Sequence, residues 1–321
     1  MNILISDHVA EKCIINLQSA GFSVDYSPGL AAGELLKKIG TFHGLIVRSA
    51  TQVTRDVLEA GKNLKAIGRA GTGVDNIDVA CATEKGIAVF NSRSGNTISA
   101  AEHTFALMMA LARNIPAAHI SMQNNSWERK RFMGVELFEK TLGIVGFGQI
   151  GREVAARGRA FAMKILAYDP LIPDVVFREC SAESCTLNDL FHRSDFVTIH
   201  VPLNEDTRHF VGEKQLRVCK SGLRLVNASR GGVVDEDALY HALQDGRLAG
   251  AALDVFEQEP PASLKLLELE NFIATPHLGA STKEGQERVA SEIAAVIADY
   301  LTCGKTRNLI NPECNPNDHQ V

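Results

Sequence analysis

Two series of short apolar runs, each alternating with helical patterns and separated by one long helix, predict an α/β protein of two doubly wound parallel-sheet domains. Alternating β and α segments build a parallel sheet covered by helices on its faces. The first series lies between residues 2 and 95, the second begins at TLGIVGFG (141–148), and TISAAEHTFALMMALARNI (97–115) divides them.

In the first series the strand candidates are NILIS, FSVDYS, GLIVRS, LKAIGRA and IAVFNS. Between them lie the helical patterns AEKCIINLQSAG, LAAGELLKKIG, TRDVLEAGKN and VDNIDVACATEKG, with glycine where helices often stop. The dividing helix starts at Thr97 or Ser99, and its length and apolar periodicity suit a spine between units or across a subunit interface. A polar stretch follows, SMQNNSWERKRFMGVELFEK (121–140), with the only tryptophan, Trp127. The second series continues through KILAYDP, DFVTIHVPL, GLRLVNASRGG, AGAALDVF and NFIATPH. A last helix, KEGQERVASEIAAVIADYLTCG, belongs in space with the first unit or bridges both, which makes the first domain discontinuous. The end of the chain, NPECNPNDHQV, reads as a frayed tail.

A length of 321 residues suits two domains with a well-buried core. Apolar residues at 45% and charged residues at 22% are ordinary globular values. The net charge of −5 argues against a general nucleic-acid partner and leaves room for a local basic pocket. Seven cysteines occur without C-x-x-C spacing, and Cys180 and Cys185 are wrongly spaced for a zinc hairpin. Reduced thiols, no metal and a cytoplasmic setting are the expectation. The N-terminus has no basic segment followed by an apolar one, and no stretch approaches the ~20 apolar residues that span a bilayer.

TLGIVGFGQIGREVAARG reads as strand, glycine loop and helix, with Gly146, Gly148 and Gly151 at the three G-x-G-x-x-G positions. The first glycine makes a tight turn, the second admits a pyrophosphate to the backbone, and the third lets helix pack on strand. The helix N-terminus offers free N–H groups to phosphate. Alone the motif is weak. Here Asp169 also closes the next apolar run, at about the 20-residue spacing of a ribose-binding carboxylate. Pro170 and Leu171 follow it, with no arginine for a 2′-phosphate, so NAD is expected over NADP.

Ligands of open α/β sheets bind at the carboxyl ends of strands. Arg230, Glu259 and His277 follow apolar runs of the second series. Singly, each has a duller reading: a structural histidine, a loop glutamate before proline, a surface arginine beside Gly-Gly. Together they suit hydride transfer at an alcohol carbon. Histidine can carry the hydroxyl proton, a carboxylate on the ring favours imidazolium and fixes the tautomer, and arginine grips a substrate carboxylate in two parallel bonds. In the first series Arg48 and Arg69 also end apolar runs, where they would meet a second anion.

Taken together, RSAT, GRAGTGVDN, WERKRFMG, GFGQIG, ASRGGVVDE, LDVFEQEPP and PHLGASTKE resemble the D-isomer-specific 2-hydroxyacid dehydrogenases, up to about residue 312. Within that family the match is to the branch that oxidises D-3-phosphoglycerate to 3-phosphohydroxypyruvate, the first step of serine synthesis. The resemblance implies a flavodoxin-like substrate domain over 1–95 and 285–321, and an NAD-binding Rossmann domain over 96–284. It makes Arg230, Glu259 and His277 catalytic. NAD contacts are implied at Thr72, Gln149, Ile150, Asp169, Val201, Ala228, Ser229, Arg230, Asp254, His277, Leu278, Gly279 and Ala280, with Asp254 on the nicotinamide amide. Arg48, Arg69 and Asn96 match substrate positions, and Arg129 matches a basic residue from the neighbouring subunit of a homodimer or dimer of dimers. Val201 stands where threonine is common and Ser229 where alanine is frequent.

The resemblance further implies a substrate held between the domains and closure that excludes water. Serine-binding regulatory domains, common in that branch, find no room after the last helix, so feedback through one is not expected. Other readings stay open. The substrate could be glyoxylate, hydroxypyruvate, 4-phosphoerythronate, sulfolactate or 2-oxoglutarate, since the arginines do not separate phosphate from sulfonate or a second carboxylate. The chain could also be an NAD-binding corepressor, which the RSAT, GRAG and WERK segments weigh against.

Overall fold

The structure, a computed structural model, describes residues 1–315. The chain forms two compact units. One takes Met1–Asn96 together with the chain from Ala280 on, and the other takes Thr97–Gly279.

The first unit begins with β1 (Asn2–Ile5), α1 (Glu11–Ser19), β2 (Ser23–Tyr26), α2 (Ala32–Lys38), β3 (Gly44–Val47), α3 (Arg55–Ala60), β4 (Ala66–Arg69), α4 (Val79–Glu84) and β5 (Ala88–Asn91). All five strands are parallel, in the order β2-β1-β3-β4-β5, which is the flavodoxin-like order. Successive strand residues face opposite sides. Ile3, Ile5, Ile46 and Phe90 therefore enter one core, while Leu4, Leu45, Val47 and Val89 enter another. A sheet covered on both faces accounts for the unbroken apolar run of GLIV in β3.

The second unit comprises α5 (Thr97–Arg113), α6 (Ile115–Gln123), β6 (Thr141–Val145), α7 (Gln149–Ala160), β7 (Lys164–Tyr168), α8 (Asp174–Glu179), β8 (Glu183–Ser184), α9 (Leu187–Arg193), β9 (Phe196–Ile199), α10 (Glu213–Val218), β10 (Leu223–Asn227), α11 (Glu236–Gln244), β11 (Leu248–Leu253) and β12 (Phe272–Ala274). Its parallel strands run β12-β11-β10-β9-β6-β7-β8. Counted from β6 this is the doubly wound dinucleotide-fold order, with β12 added beyond the sixth strand.

The final helix, α12 (Lys283–Cys303), returns to the first unit. Thr282 caps it by accepting from the Gly285 N–H, and Gly304 closes it in the left-handed conformation at φ +67°. Ile293 and Ile297 lie so close over β4 that a Cβ at Gly68 would come within 2.8 Å of Ile293 Cγ1.

Three local features depart from the sequence reading. Asn114, at φ 52°, ends α5, and Pro116 in the first turn of α6 starts a second helix where only a polar stretch was expected to follow. The two-residue β8 is exposed at the sheet edge and has no apolar run to announce it. The tail is not frayed where it begins. The Ile310 N–H donates to Val89 O, Asn311 Oδ1 accepts from the Val89 N–H, and Asn311 Nδ2 donates to Ile87 O. Residues 309–311 thus seal the open edge of β5, which would otherwise present unpaired backbone groups. The remaining tail, 316–321, lies outside the described residues.

The loop after β5 is clamped by α12. Glu292 accepts from Ser92 Oγ, from the Arg93 and Ser94 N–H groups, from Ser94 Oγ and from Asn308 Nδ2. Burial alone would raise this carboxyl, but the bonds outweigh it and its pKa lies below the ordinary value. A lowered pKa contributes stability above the unfolded-state value of ~4.3, and that contribution is lost as pH falls through the lower folded value. Glu292→Gln is expected to destabilise the protein at pH 7 by about 1–3 kcal/mol. Urea midpoints of the two proteins should converge below about pH 4; an equal gap at pH 7 and pH 3.5 would contradict the assignment.

Candidate functional site

In the second unit strand order reverses between β6 and β9, and the loops leaving these strands carry the glycine motif and His200–Val201. Gly146 turns at φ +89°, with room for no side chain: a Cβ would approach the His200 carbonyl group to 2.8 Å. At Gly151 a Cβ would fall 2.2 Å from Gly146 O, so the third glycine is required by packing of α7 on the loop. Gly148 precedes α7 and is different. No atom lies within 4 Å of where its Cβ would stand, and no side chain caps the helix. Open space over the uncapped N–H groups of Gln149, Ile150 and Gly151 is what a phosphate needs.

Asp169, directly after β7, accepts from the Phe147 N–H at 2.8 Å on Oδ2 and from the Leu171 N–H at 3.0 Å on Oδ1. It ties the glycine loop to the neighbouring strand end. Each oxygen keeps an acceptor position for a ribose hydroxyl. Among the described residues His200 Nε2 is sealed from solvent without a partner, and burial pushes this imidazole down to about 3, so it is neutral near pH 7. Val201 follows it, half-buried. The uncapped helix end, the open face at Gly148 and the Asp169 acceptors together fit a dinucleotide.

Arg230, Glu259 and His277 follow β10, β11 and β12, three adjacent strands. His277 Nδ1 lies 2.8 Å from Glu259 Oε2, and Glu259 Oε1 accepts from the Phe256 N–H. With Nδ1–H given to the carboxylate, Nε2 is left as the ring's outward proton-carrying atom. The loop after β10 is shaped by buried Asn227, which accepts from Ser229 N–H and Oγ and donates to Arg230 O. Arg230 Nη1 donates to Ser229 O. Ala228 and Ser229 are half-buried in that loop.

Asp254 has no exposed surface. Its Oδ1 accepts from His103 Nε2, Thr275 Oγ1 and the Leu278 N–H, and its Oδ2 from the Gly279 N–H. Burial would raise this carboxyl, but the donors outweigh it and hold the pKa low. The turn it secures contains His277 at φ 53°, whose N–H donates to Asp254 O. Ala280 begins the return to the first unit.

In the first unit Arg48 follows β3 and Arg69 ends β4. The RSAT loop is held from both sides. Asp7 accepts from the Arg48 N–H at 2.6 Å and from Thr51 N–H and Oγ1, while Asn76 Nδ2 donates to the Arg48 and Thr51 carbonyls. Arg48 Nη1 donates to His8 O. Arg69 folds over Gly71, where a Cβ would sit 1.8 Å from Nη1. Thr72 Oγ1 donates to Asn96 Oδ1 at 2.8 Å. Arg129 is exposed on the segment after α6.

Sequence reasoning missed Asp7, Asn76 and His103. Asp7 was within reach, because it follows β1 at the switch point of the first sheet, where strand order turns from β1 to β3. His103 lies inside a helical pattern and carried no signal. Among the described residues no group of three or more His, Cys, Asp or Glu side chains could hold a metal, and no helix is long and apolar enough to cross a membrane. All seven cysteines are unpaired.

Residues 105–279 match the family model described as D-isomer specific 2-hydroxyacid dehydrogenase, NAD binding domain. The D-3-phosphoglycerate dehydrogenase of Methanocaldococcus jannaschii is 48% identical over 97% of this chain, which spans 59% of that relative's length. A glyoxylate reductase from Paecilomyes thermophila superposes with a TM-score of 0.88 at 29% identity, covering 97% of this chain and 98% of that one. D-lactate dehydrogenase from Aquifex aeolicus, solved with NAD and lactic acid, gives 0.85 at 29% identity, covering 97% and 99%.

The close approach at Gly151 makes a direct prediction. Gly151→Ala must displace the Gly146 carbonyl or α7, and overpacking of this kind costs on the order of 2–3 kcal/mol. A fall in thermal midpoint with weakened NADH binding in fluorescence titration is expected; wild-type values of both would show that the loop is not fixed by this contact.

Proposed function

Because the chain belongs to the D-isomer-specific 2-hydroxyacid dehydrogenase family, we propose that it oxidises D-3-phosphoglycerate to 3-phosphohydroxypyruvate with NAD, as the first step of serine synthesis. The His277–Glu259 pair, in the unit that carries the glycine loop, is the observation that carries this reading. Support for the substrate comes from the two strand-end arginines of the first unit and from the 48% identical relative.

Bound NAD supplies the hydride acceptor, held by Gly146–Gly151, Asp169 and the loops at Val201, Ala228–Arg230 and His277–Ala280. Arg230 grips the substrate carboxylate and orients the C2 carbon. As the C2 hydride leaves, His277 Nε2 takes the hydroxyl proton, and Glu259 on Nδ1 keeps the ring oriented and balances its new charge. Arg48 and Arg69, with Asn96, take the phosphate, which fixes the far end of the substrate. Glu259 accepts no proton in this scheme.

A homodimer or dimer of dimers is part of the proposal. Trp127 is 72% exposed and Met133 80%, and Ile115, Ile120 and Met122 are exposed on α6. Large apolar side chains concentrated on one segment support an interface there. The neighbouring subunit's segment would then bring Arg129 to the substrate. The unpaired thiols support a reducing, cytoplasmic setting. Sedimentation of only monomer at micromolar concentration would remove the oligomer.

Steady-state kcat/KM for D-3-phosphoglycerate, D-lactate and D-glycerate, and for glyoxylate in reverse, tests the substrate. The phosphorylated acid is expected to lead by tenfold or more, roughly the value of one charge-assisted contact. Arg69→Ala should lower its kcat/KM about 30- to 100-fold, with little effect on D-lactate. Gly71→Ala, which pushes the Arg69 guanidinium aside and strains a backbone at φ +155°, should lower it in the same direction. Near-wild-type turnover of phosphoglycerate by Arg69→Ala would sink the phosphate assignment.

A further inference from the structure

A carboxylate without exposed surface must be matched by donors, because burying an uncompensated charge is costly. Asp254 meets that requirement with four. Three of them, the Thr275 hydroxyl and the Leu278 and Gly279 N–H groups, belong to the loop after β12. The fourth is His103 Nε2, 3.1 Å from Oδ1 and 3.1 Å from Thr275 Oγ1.

The four donors differ in what they are attached to. The three loop donors move with the loop, so they cannot by themselves decide where the carboxylate points. His103 stands on α5, whose Ala101, Phe105, Met108 and Leu111 are packed in the core of the second unit. It is the one donor anchored outside the turn. The turn itself needs an anchor: His277 adopts a left-handed backbone that costs an L-residue of order 1 kcal/mol or more and persists only when its surroundings hold it. Asp254 holds it twice, through its carbonyl to the His277 N–H and through its carboxylate to the next two residues.

We propose that His103 is a positioning residue, which acts through Asp254 to fix the turn carrying His277, Leu278 and Gly279. Its importance for turnover rests on the dehydrogenase reading above; its effect on the turn does not. The ring donates from a rigid helix to Oδ1, the carboxylate is thereby oriented, and Oδ1 and Oδ2 then present fixed acceptors to two successive backbone amides. His103 touches neither substrate nor cofactor in this role.

Three variants and two readouts besides turnover test it. In cofactor-free protein, amide exchange at Leu278 and Gly279 should be about tenfold faster or more in His103→Ala. NADH should bind severalfold more weakly, and kcat should fall about tenfold or more while KM for the hydroxy acid changes less, as expected when a catalytic group is misplaced. His103→Gln, whose amide can donate from a similar position, should recover most of each effect. Wild-type exchange and NADH affinity in His103→Ala overturn the proposal, and so does equal impairment of the Ala and Gln variants, which would mean bulk rather than donation. Should His103→Ala fail to fold, His103→Leu keeps the bulk without the donor and decides in its place; failure of both would assign His103 to stability alone. A wild-type protein that binds NADH but oxidises no 2-hydroxy acid would reject the proposed function, while exchange and affinity still decide the role of His103.

Discussion

Parallel strand pairing in register is the constraint on which the rest of the second unit depends. Tyr168, Val145, Ile199, Asn227, Leu253 and Ala274 are paired partners across the sheet, each the last residue of its strand. Parallel strands lie about 4.8 Å apart, so the residues that follow this row emerge side by side. Gly146, Asp169, His200, Ala228, Asp254 and Thr275 are those residues. An antiparallel pairing would have sent alternate loops to opposite ends, and no set of short loops could then have gathered six chain segments at one edge. The chemistry of the unit is therefore a consequence of strand direction before it is a consequence of any one side chain.

What the strand ends deliver is then made rigid by buried polar groups that bond to the loop backbone. Asp254 sets the turn of His277, Asn227 sets the loop of Arg230, and Asp7 with Asn76 sets the RSAT loop. Each is buried or half-buried, and each satisfies backbone groups that a loop would otherwise leave to water. Asp7, Asn227 and Asp254 lie at or within two residues of a strand's end, and there a short carboxylate or amide side chain substitutes for the sheet ladder where the ladder stops. Such groups stabilise little on balance, since their desolvation offsets much of the gain. Their effect is to reduce the number of conformations open to the loop, which is what orients His277 and Arg48.

Strand and helix positions were legible because burial on both faces writes unbroken apolar runs into the sequence, as in GLIV and LKAIGR, and because glycine and capping residues mark helix ends. The glycine loop was legible for the same kind of reason: its first and third glycines answer to close approaches within the chain, and its second leaves open space over the start of α7. The candidate catalytic residues carried no signal in the sequence beyond their place in strand-end segments. What could not be read was any contact between residues distant in sequence. His103 meets Asp254 and Glu292 meets Ser92 by virtue of packing that no periodicity reports. The end of the chain failed for a related reason. NPEC looks polar and therefore loose, yet Asn311 is polar because it replaces the missing neighbour of an edge strand.

That last contact bears on how the first unit is completed. The face of its sheet lined by Ile5, Ile46 and Phe90 is covered by Val289, Ile293 and Ile297 of α12, and Phe90 meets the Tyr300 ring at 4.9 Å. Its β5 edge is closed by residues beyond that helix. Between β5 and α12 the chain builds the entire second unit. A chain ending at Asn96 would keep only α1, through Cys13 and Leu17, on that sheet face and would leave the β5 edge open, an aggregation hazard as well as an incomplete core. Contacts across such sequence separations are slow to form because loop closure must precede them. The same contacts hold the Ser92–Asn96 loop through Glu292 and Arg288, so the late part of the chain that finishes the core also sets the segment on which Asn96 is carried.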